Sequence, residues 1–456
     1  MTWNKIIVAV VLAPFLWSTA VYSQAMKAGT GKKLITPTLP FMLSGYAVRT
    51  VPATEKAHEL WAKALVIEAP DKSRVAIITT DVLGLTPEIQ RNVTDSLEKR
   101  YGLQRSHILL NSSHTHSGPF IWPALGMIGD PDSTTLRTYT AYSEQLTVAM
   151  IESVNMAFQS LQNAELFSAH GEAEFAKNRR QVTPKGVSNG INPSGAVDHD
   201  VPVLKAQTTD GKIIAILFGY ACHNTTVTGV NNIINGDYAG YAQIELEKKY
   251  PDATALFFLG CAGDQNPQPR GTIELAAQHG KELAEAVDKA LSGKITNVRG
   301  PVKAKLTTVE LDLEPYTIQK YREHLKTGSV YQQRRAKLMI EALNRGWKID
   351  KYEYPVQAFR IGNSLTMVSL AGEVVVGYAL SIKQAYPKEN LFVAGYCNEV
   401  ICYIPTKKIL EEGGYEAVDS MIYYGMPGPF AKTIEAKILA AVKSTMTALG
   451  LSRSAR

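Results

Sequence analysis

Short apolar runs rich in β-branched residues alternate along this chain with stretches whose apolar positions recur at helical spacing. Residues 64–67 and 75–79 are two such runs joined by a Pro/Asp/Ser turn, which predicts a hairpin. Residues 201–207 and 213–220 repeat the pattern around Asp210-Gly211, a hairpin-type turn. Further strands are expected at 31–37, 106–110, 165–175, 254–259, 302–313, 356–361, 365–370 and 391–394. Helical spacing predicts helices over 87–101, 133–161, 271–291 and 431–449, the first opening on Pro87, where proline is tolerated. The charged stretch 317–345 reads as one long helix or a helix pair around Gly328. Strands alternating with helices place the chain in the α/β class, and no internal repeat is visible.

The N-terminus changes the compartment. Residues 1–5 carry one lysine, 6–17 are apolar and 18–24 are small and polar, the pattern of a secretory signal peptide with cleavage expected after Ser23. The protein is thus expected to be secreted or periplasmic, with 24–456 as a single catalytic domain. The run 6–17 is too short to span a bilayer and no second one follows, so no transmembrane segment is expected. A hydrophobic content of 45% supports a large core and excludes a disordered or fibrous chain. The net charge of +6 favours acidic surfaces or substrates, but the basic residues read as scattered, and nucleic acid is not an expected partner. Four cysteines, Cys222, Cys261, Cys397 and Cys402, are too few for a disulfide framework. A Cys397–Cys402 clip, a Cys222–Cys261 bridge and free buried thiols all remain open.

Candidate chemistry concentrates in Asn111-Ser112-Ser113-His114-Thr115-His116-Ser117-Gly118-Pro119, which holds two of the nine histidines behind an apolar run. If the strand continues through them, His114 and His116 point to one face of a sheet. One imidazole can then bind a divalent metal while the other moves a proton. A hydrogen-bonded histidine pair is the plain alternative.

This segment resembles the Thr-His-Thr-His-Ser-Gly-Pro signature of the neutral ceramidase family, a group of secreted zinc amidases. Further pieces follow in the family's order. Lys177-Asn178-Arg179-Arg180 resembles its arginine turn, with Arg179 at the substrate-orienting position; Ala221-Cys222-His223-Asn224 resembles the segment bearing its second metal-binding histidine. Asp237-Tyr238-Ala239-Gly240-Tyr241-Ala242 is similar to a loop that opens a helix, which Asp237 is placed to cap. Gly260 to Pro267 resembles an Ala-Gly-x-x-Ser-Pro pattern, with Asn266 where the serine is expected. Gly372-Glu373 matches a Pro-Gly-Glu segment, and Asn398 to Thr406 with Tyr415-Glu416 resembles a tyrosine-rich run in which Tyr403 is kept and Val400 replaces another tyrosine.

The resemblance covers the family's N-terminal catalytic domain. It implies two packed mixed β-sheets flanked by helices, and Zn2+ held by His114, His223, Glu373 and Tyr403. It further implies a zinc-activated water that attacks an N-acyl amide, an oxyanion met by Arg179 and Tyr415, a leaving nitrogen protonated by His116, and a pocket contact from Asn266; Arg180 is a candidate substrate-binding residue, able like Arg179 to grip a substrate carboxylate. The substrate would be a small lipid of ceramide type. Two alternatives stay open: a carbohydrate-active lyase or hydrolase using the same residues on an acidic, uronate-containing glycan, and a binding protein without turnover.

Overall fold

Three times along the chain the same succession recurs: three antiparallel strands, a helix, a strand returning parallel to the last, and a covering helix. The computed structural model describes residues 25–129 and 131–453, so the expected signal peptide lies outside the described residues. The first unit comprises β1 (Lys27–Leu34), β2 (Trp61–Glu68), β3 (Arg74–Thr80), α1 (Pro87–Tyr101), β4 (Ile108–Ser112) and α2 (Ser133–Gln159). The second comprises β5 (Glu165–Glu172), β6 (Asp200–Gln207), β7 (Ile213–Tyr220), α3 (Asp237–Lys249), β8 (Thr254–Leu259) and α4 (Ile273–Ser292). The third begins with β9 (Val302–Asp312), inserts a helical hairpin of α5 (Ile318–Thr327) and α6 (Val330–Asn344), and continues through β10 (Lys351–Ile361), β11 (Leu365–Leu370), α7 (Val376–Ala385), β12 (Leu391–Ala394) and α8 (Ile434–Ala448).

Each unit forms a mixed sheet, in the orders β4-β3-β2-β1, β8-β7-β6-β5 and β12-β11-β10-β9, whose β4–β3, β8–β7 and β12–β11 pairs alone run parallel. Short strands Gln162–Asn163 and Thr296–Val298 extend the first two sheets to five strands. An antiparallel return needs only a turn, whereas the parallel one needs a crossover, supplied here by α1, α3 and α7. The α/β class and the two packed mixed sheets are therefore present; the third sheet and the repeated topology were not foreseen.

Side-chain alternation explains why so many strands read as unbroken apolar runs. Leu65 and Ile67 of β2, Ala215 and Leu217 of β7, and Leu365 and Met367 of β11 all point into one core shared by the three sheets. Their neighbours Ala64 and Val66, Ile216 and Phe218, and Val368 and Leu370 point outward against the helices that cover each sheet. A strand buried on both faces has no polar side to show. Helix ends follow local chemistry: the Thr86 hydroxyl caps α1 at Ile89, and α5 and α6 break at Gly328, where Ser329 and Gln332 form a reciprocal capping box. Among the described residues, no helix is long and apolar enough to cross a membrane.

Candidate metal centre

The C-terminal ends of the three parallel edge strands meet. Asn111, at the end of β4, ties them together: its amide nitrogen donates to the carbonyl oxygens of Gly395 (2.8 Å) and Leu259 (3.4 Å), and its oxygen accepts from the Leu259 amide (2.8 Å). Loops leaving these strand ends carry the polar side chains, the usual place for a site in open α/β sheets. His114 and His116 follow β4, His223 follows β7, Glu373 follows β11, and Tyr396 and Tyr403 follow β12.

At the centre, Glu373 Oε2 lies 3.1 Å from His114 Nε2 and 3.0 Å from His223 Nε2. The Tyr403 hydroxyl lies 3.2 Å from His223 Nε2. A two-residue parallel pairing of Glu373–Val374 with Tyr403–Ile404 sets Glu373 opposite Tyr403 although thirty positions separate them. Each ligand-type histidine is oriented from behind: His114 Nδ1 donates to the Leu83 carbonyl (2.5 Å) and His223 Nδ1 to that of Ala262 (2.7 Å). A carbonyl can only accept, so both Nδ1 atoms carry a proton and both Nε2 atoms face the centre. The close approach of the Gly263 backbone helps hold the carboxylate loop: its amide donates to the Val374 carbonyl (2.8 Å), and a Cβ there would sit 2.7 Å from the Glu373 carbonyl.

His116 is not on a strand. β4 ends at Ser112, and His114 has a left-handed backbone (φ 60°), so the shared-face geometry expected for His114 and His116 is replaced by a turn. The two rings nevertheless meet edge-on at 4.8 Å, and ligand-type nitrogens of His114, His116 and His223 lie within 4.8 Å of one another. Neither ring nitrogen of His116 has a partner among the described residues. Gly45 makes room for that ring: its φ is 94°, and a Cβ there would lie 2.5 Å from the imidazole.

Arg179 closes the far side. The antiparallel pairing of Ala176–Asn178 with Gln265–Pro267 brings it beside Asn266. Its guanidinium donates to Tyr403 Oη (3.0 Å), Asn266 Oδ1 (3.3 Å) and Glu416 Oε1 (2.8 Å). Tyr415 packs edge-on against Tyr403 with ring centroids 5.5 Å apart, and its hydroxyl has no hydrogen-bond partner among the described residues. Arg180 does not face this centre; it is taken up by Glu416 (2.5 Å), Glu412 (3.1 Å) and the Gly413 carbonyl, beside a separate open cleft of about 700 Å³. Asp237, expected as a helix cap, is the first residue of α3 with φ 53°, and its carboxylate accepts the amides of Thr226 (3.1 Å), Val227 (2.8 Å) and Tyr238 (2.7 Å), pinning the loop beyond His223. All four cysteines are free and buried.

Glu416, Tyr424 and Tyr396 are site residues that sequence reasoning missed. Tyr424 Oη donates to Glu373 Oε1, and Tyr396 Oη lies 3.4 Å from Oε2. Glu416 stood beside Tyr415 in a recognisable pair, a usable signal; Tyr424 had none.

Burial opposes charge throughout this centre. It lowers His223 to about 4, assisted by the Arg179 charge, and lowers His116 well below the usual imidazole range, assisted by His114 and His223. Burial alone would raise Glu373, but the two histidines hold it well below the ordinary carboxylate value. Burial raises Tyr403 well above an ordinary phenol, and the carboxylate of Glu373 adds to this while Arg179 opposes it. His116 and His223 are thereby kept neutral beside the Glu373 carboxylate and the Tyr403 phenol, and a cavity of about 20 Å³ lined by His114, His116, Glu373 and Tyr403 has room for one water or one ion. Gly45 and Ile128 border both this cavity and a groove of about 610 Å³ lined by Met42, Leu43, Phe120, Tyr139, Val330 and Tyr331 among others.

Fold and site together define an α/β protein with a histidine–carboxylate centre at the meeting point of three sheets, beside a groove of mixed apolar and polar lining. The sequence profile of the neutral/alkaline non-lysosomal ceramidase N-terminal region matches residues 26–302. The chain belongs to that family. It is 26% identical over 226 residues to neutral ceramidase B of Dictyostelium discoideum, covering 46% of this chain and 31% of that protein. It is 26% identical over 200 residues to the neutral ceramidase of Pseudomonas aeruginosa, covering 41% of this chain and 28% of that one. The matched stretch thus spans no more than about a third of these relatives' length. Two solved structures share the fold over 94% of this chain: the Pseudomonas aeruginosa neutral ceramidase (TM-score 0.72, 19% identity, 75% of that chain) and a ceramidase complexed with C2 (TM-score 0.73, 18% identity, 76% of that chain).

Proposed function

We propose that this protein is a secreted zinc-dependent amidohydrolase that cleaves the N-acyl amide bond of a ceramide-like lipid. The observation that carries the reading is the set of atoms that meet at the centre: two Nε2 atoms and a carboxylate oxygen, 3.0 and 3.1 Å apart, with both histidines locked from behind by backbone carbonyls. His114 Nε2 lies beside the Glu373 oxygen without a well-directed hydrogen bond among the described residues, a buried contact that a shared metal ion would satisfy. Neutral imidazole, carboxylate and phenolate are ligands that suit zinc. His114, His223, Glu373 and Tyr403 would hold it. Once bound, zinc supplies Lewis acidity, which polarises a carbonyl and brings the pKa of water to about 7.

The remaining chemistry belongs to the chain. Neutral His116, on the groove side, takes the proton of the attacking water and hands it to the leaving nitrogen as the C–N bond breaks. The free Tyr415 hydroxyl donates to the oxyanion, and Arg179 adds positive charge from behind Tyr403. Asn266 keeps Arg179 in place. Met42, Leu43, Phe120, Ile128 and Val330 of the groove would pack against an acyl chain, and its two arginines, Arg49 and Arg334, already donate to backbone carbonyls, which favours the amidase reading over a uronate-directed one.

The test pairs metal analysis with fatty-acid release from an N-acyl sphingosine. Wild-type protein should carry zinc and release fatty acid; His114→Ala should lose both. His116→Ala should retain zinc yet turn over about 10²- to 10⁴-fold more slowly. Full activity in metal-free His114→Ala protein overturns the assignment.

A further inference from the structure

One helical hairpin carries a local excess of positive charge. Residues 315–350, the α5–α6 hairpin and its flanks, hold eight Lys or Arg against three acids, a local net charge of +5. Among the described residues, the side chains of Arg322, Lys326, Lys337 and Lys348 are exposed and have no carboxylate partner. The same hairpin exposes Leu325, Val330, Leu338 and Trp347, the last 57% exposed. It buries only a small core of its own, around Tyr321, Ala336 and Met339.

Position gives this surface a meaning. Val330 and Tyr331 line the groove that adjoins the metal centre, together with residues 42–47, 49 and 50. Val48, between two of these lining residues, is 71% exposed, and Val230 is 86% exposed. The segments that carry them meet, since a Cβ on Gly229 would lie 3.1 Å from Val48 Cγ2. Two segments joined to the groove lining thus present exposed apolar side chains, and one of them, the hairpin, also presents exposed cations. Apolar residues that enter the acyl boundary and lysines that stay at the headgroups are the two components of an interfacial membrane contact.

We propose that the α5–α6 hairpin, with the loops bearing Val48 and Val230, is a docking surface for a bilayer containing anionic phospholipid, and that the groove takes its acyl chain directly from that bilayer. Delivery to the centre rests on the amidase reading above; docking does not. An insertion that both lines the groove and carries a local excess of positive charge couples the two, because binding this surface brings the groove to the lipid.

The experiment measures co-sedimentation of the full chain with phosphatidylcholine vesicles, with and without phosphatidylglycerol, without recourse to catalysis. The expected result is binding that depends on phosphatidylglycerol and weakens with salt, with a blue shift of fluorescence that is absent in Trp347→Phe. Lys326→Gln, Lys337→Gln and Lys348→Gln together should weaken it about a hundredfold, roughly fivefold per charge. Unfolding curves matching wild type confirm that this exposed triple variant is folded. Val230→Asp should weaken binding again at unchanged charge on the hairpin. No binding to phosphatidylglycerol vesicles overturns the proposal, as does equal binding to both vesicle types. So does self-association that occupies the hairpin in place of vesicles, or binding to a polyuronate but not to lipid. If docking holds while no N-acyl sphingosine is hydrolysed, the amidase reading alone has failed.

Discussion

Replacing Glu416 with alanine should destabilise the protein by about 3 kcal/mol. The carboxylate is buried between two buried guanidiniums, 2.8 Å from Arg179 and 2.5 Å from Arg180. Removing one member of a buried ionic group costs about 3–5 kcal/mol, because the partner charge stays in a medium that cannot solvate it. Here the lower end applies, since each arginine keeps other acceptors: Arg179 retains Tyr403 and Asn266, and Arg180 retains Glu412 and the Gly413 carbonyl. Set against a total stability of about 5–15 kcal/mol, that is a large fraction. A urea titration at neutral pH reads it as a midpoint lowered by roughly 1 M, for a slope near 3 kcal/mol/M.

Two controls separate charge from shape. Exchanging all three residues for apolar ones of similar size (Arg179→Met, Arg180→Met, Glu416→Leu) should bring stability back near wild type, since no charge is left buried. The conservative Glu416→Gln retains one acceptor oxygen and should fall between wild type and alanine, with lower turnover because Arg179 then swings on its Tyr403 contact. A Glu416→Ala midpoint equivalent to less than about 1 kcal/mol would mean that both guanidiniums find water, and the account of how Arg179 is held would be wrong.

Tyr424→Phe removes the hydroxyl that donates to Glu373 Oε1, so the carboxylate loses its orienting partner and zinc affinity, read by chelator competition, should drop about 10- to 100-fold; an unchanged affinity would refute the role. His170, on β5, is lowered by burial but raised more by its hydrogen bonds to Asp200 and Asn390, so its net shift is upward. A raised folded-state value means that its stabilising contribution is complete below the ordinary imidazole value of about 6.5 and is lost as pH rises through the folded-state value. The gap in unfolding midpoint between wild type and His170→Gln should therefore be open near pH 5.5 and closed near pH 8.5, and a gap that widens with pH would contradict it.

Much of the secondary structure was legible because it is written locally. Pro87 to Tyr101 was bounded by a proline at its start and a glycine past its end, and the apolar runs of β3, β7, β8 and β11 are short because each is a strand buried on both faces. The histidine motif marked the centre, and the resemblance supplied His223, Glu373 and Tyr403, which the structure brings together. What stayed hidden is what no local pattern encodes. The left-handed turn at His114 depends on its amide reaching the Val82 carbonyl, and the Glu373–Tyr403 contact depends on two residues of parallel pairing. The stretch 317–345 read as a charged helix pair, but its excess of positive charge and its position beside the groove were not recognised.

The repeated topology explains why a centre built from distant residues is held so firmly. The third residue after the third strand of each unit occupies the same place relative to its sheet: Leu83 after β3, His223 after β7 and Glu373 after β11. Two of these three equivalent positions carry the polar groups of the centre. The remaining one, Leu83, contributes its backbone carbonyl, which fixes His114 Nδ1. The loops after β4 and β12 approach from the adjacent edge strands with His114 and Tyr396, whose rings meet at 4.6 Å. The brace behind each histidine comes from its own unit, Leu83 behind His114 in the first and Ala262 behind His223 in the second, while Glu373 of the third unit meets both imidazoles. A shift of one sheet against the others would therefore part its group from the other two, which is why the geometry of the centre is tied to the packing of the shared core and not to the loops alone.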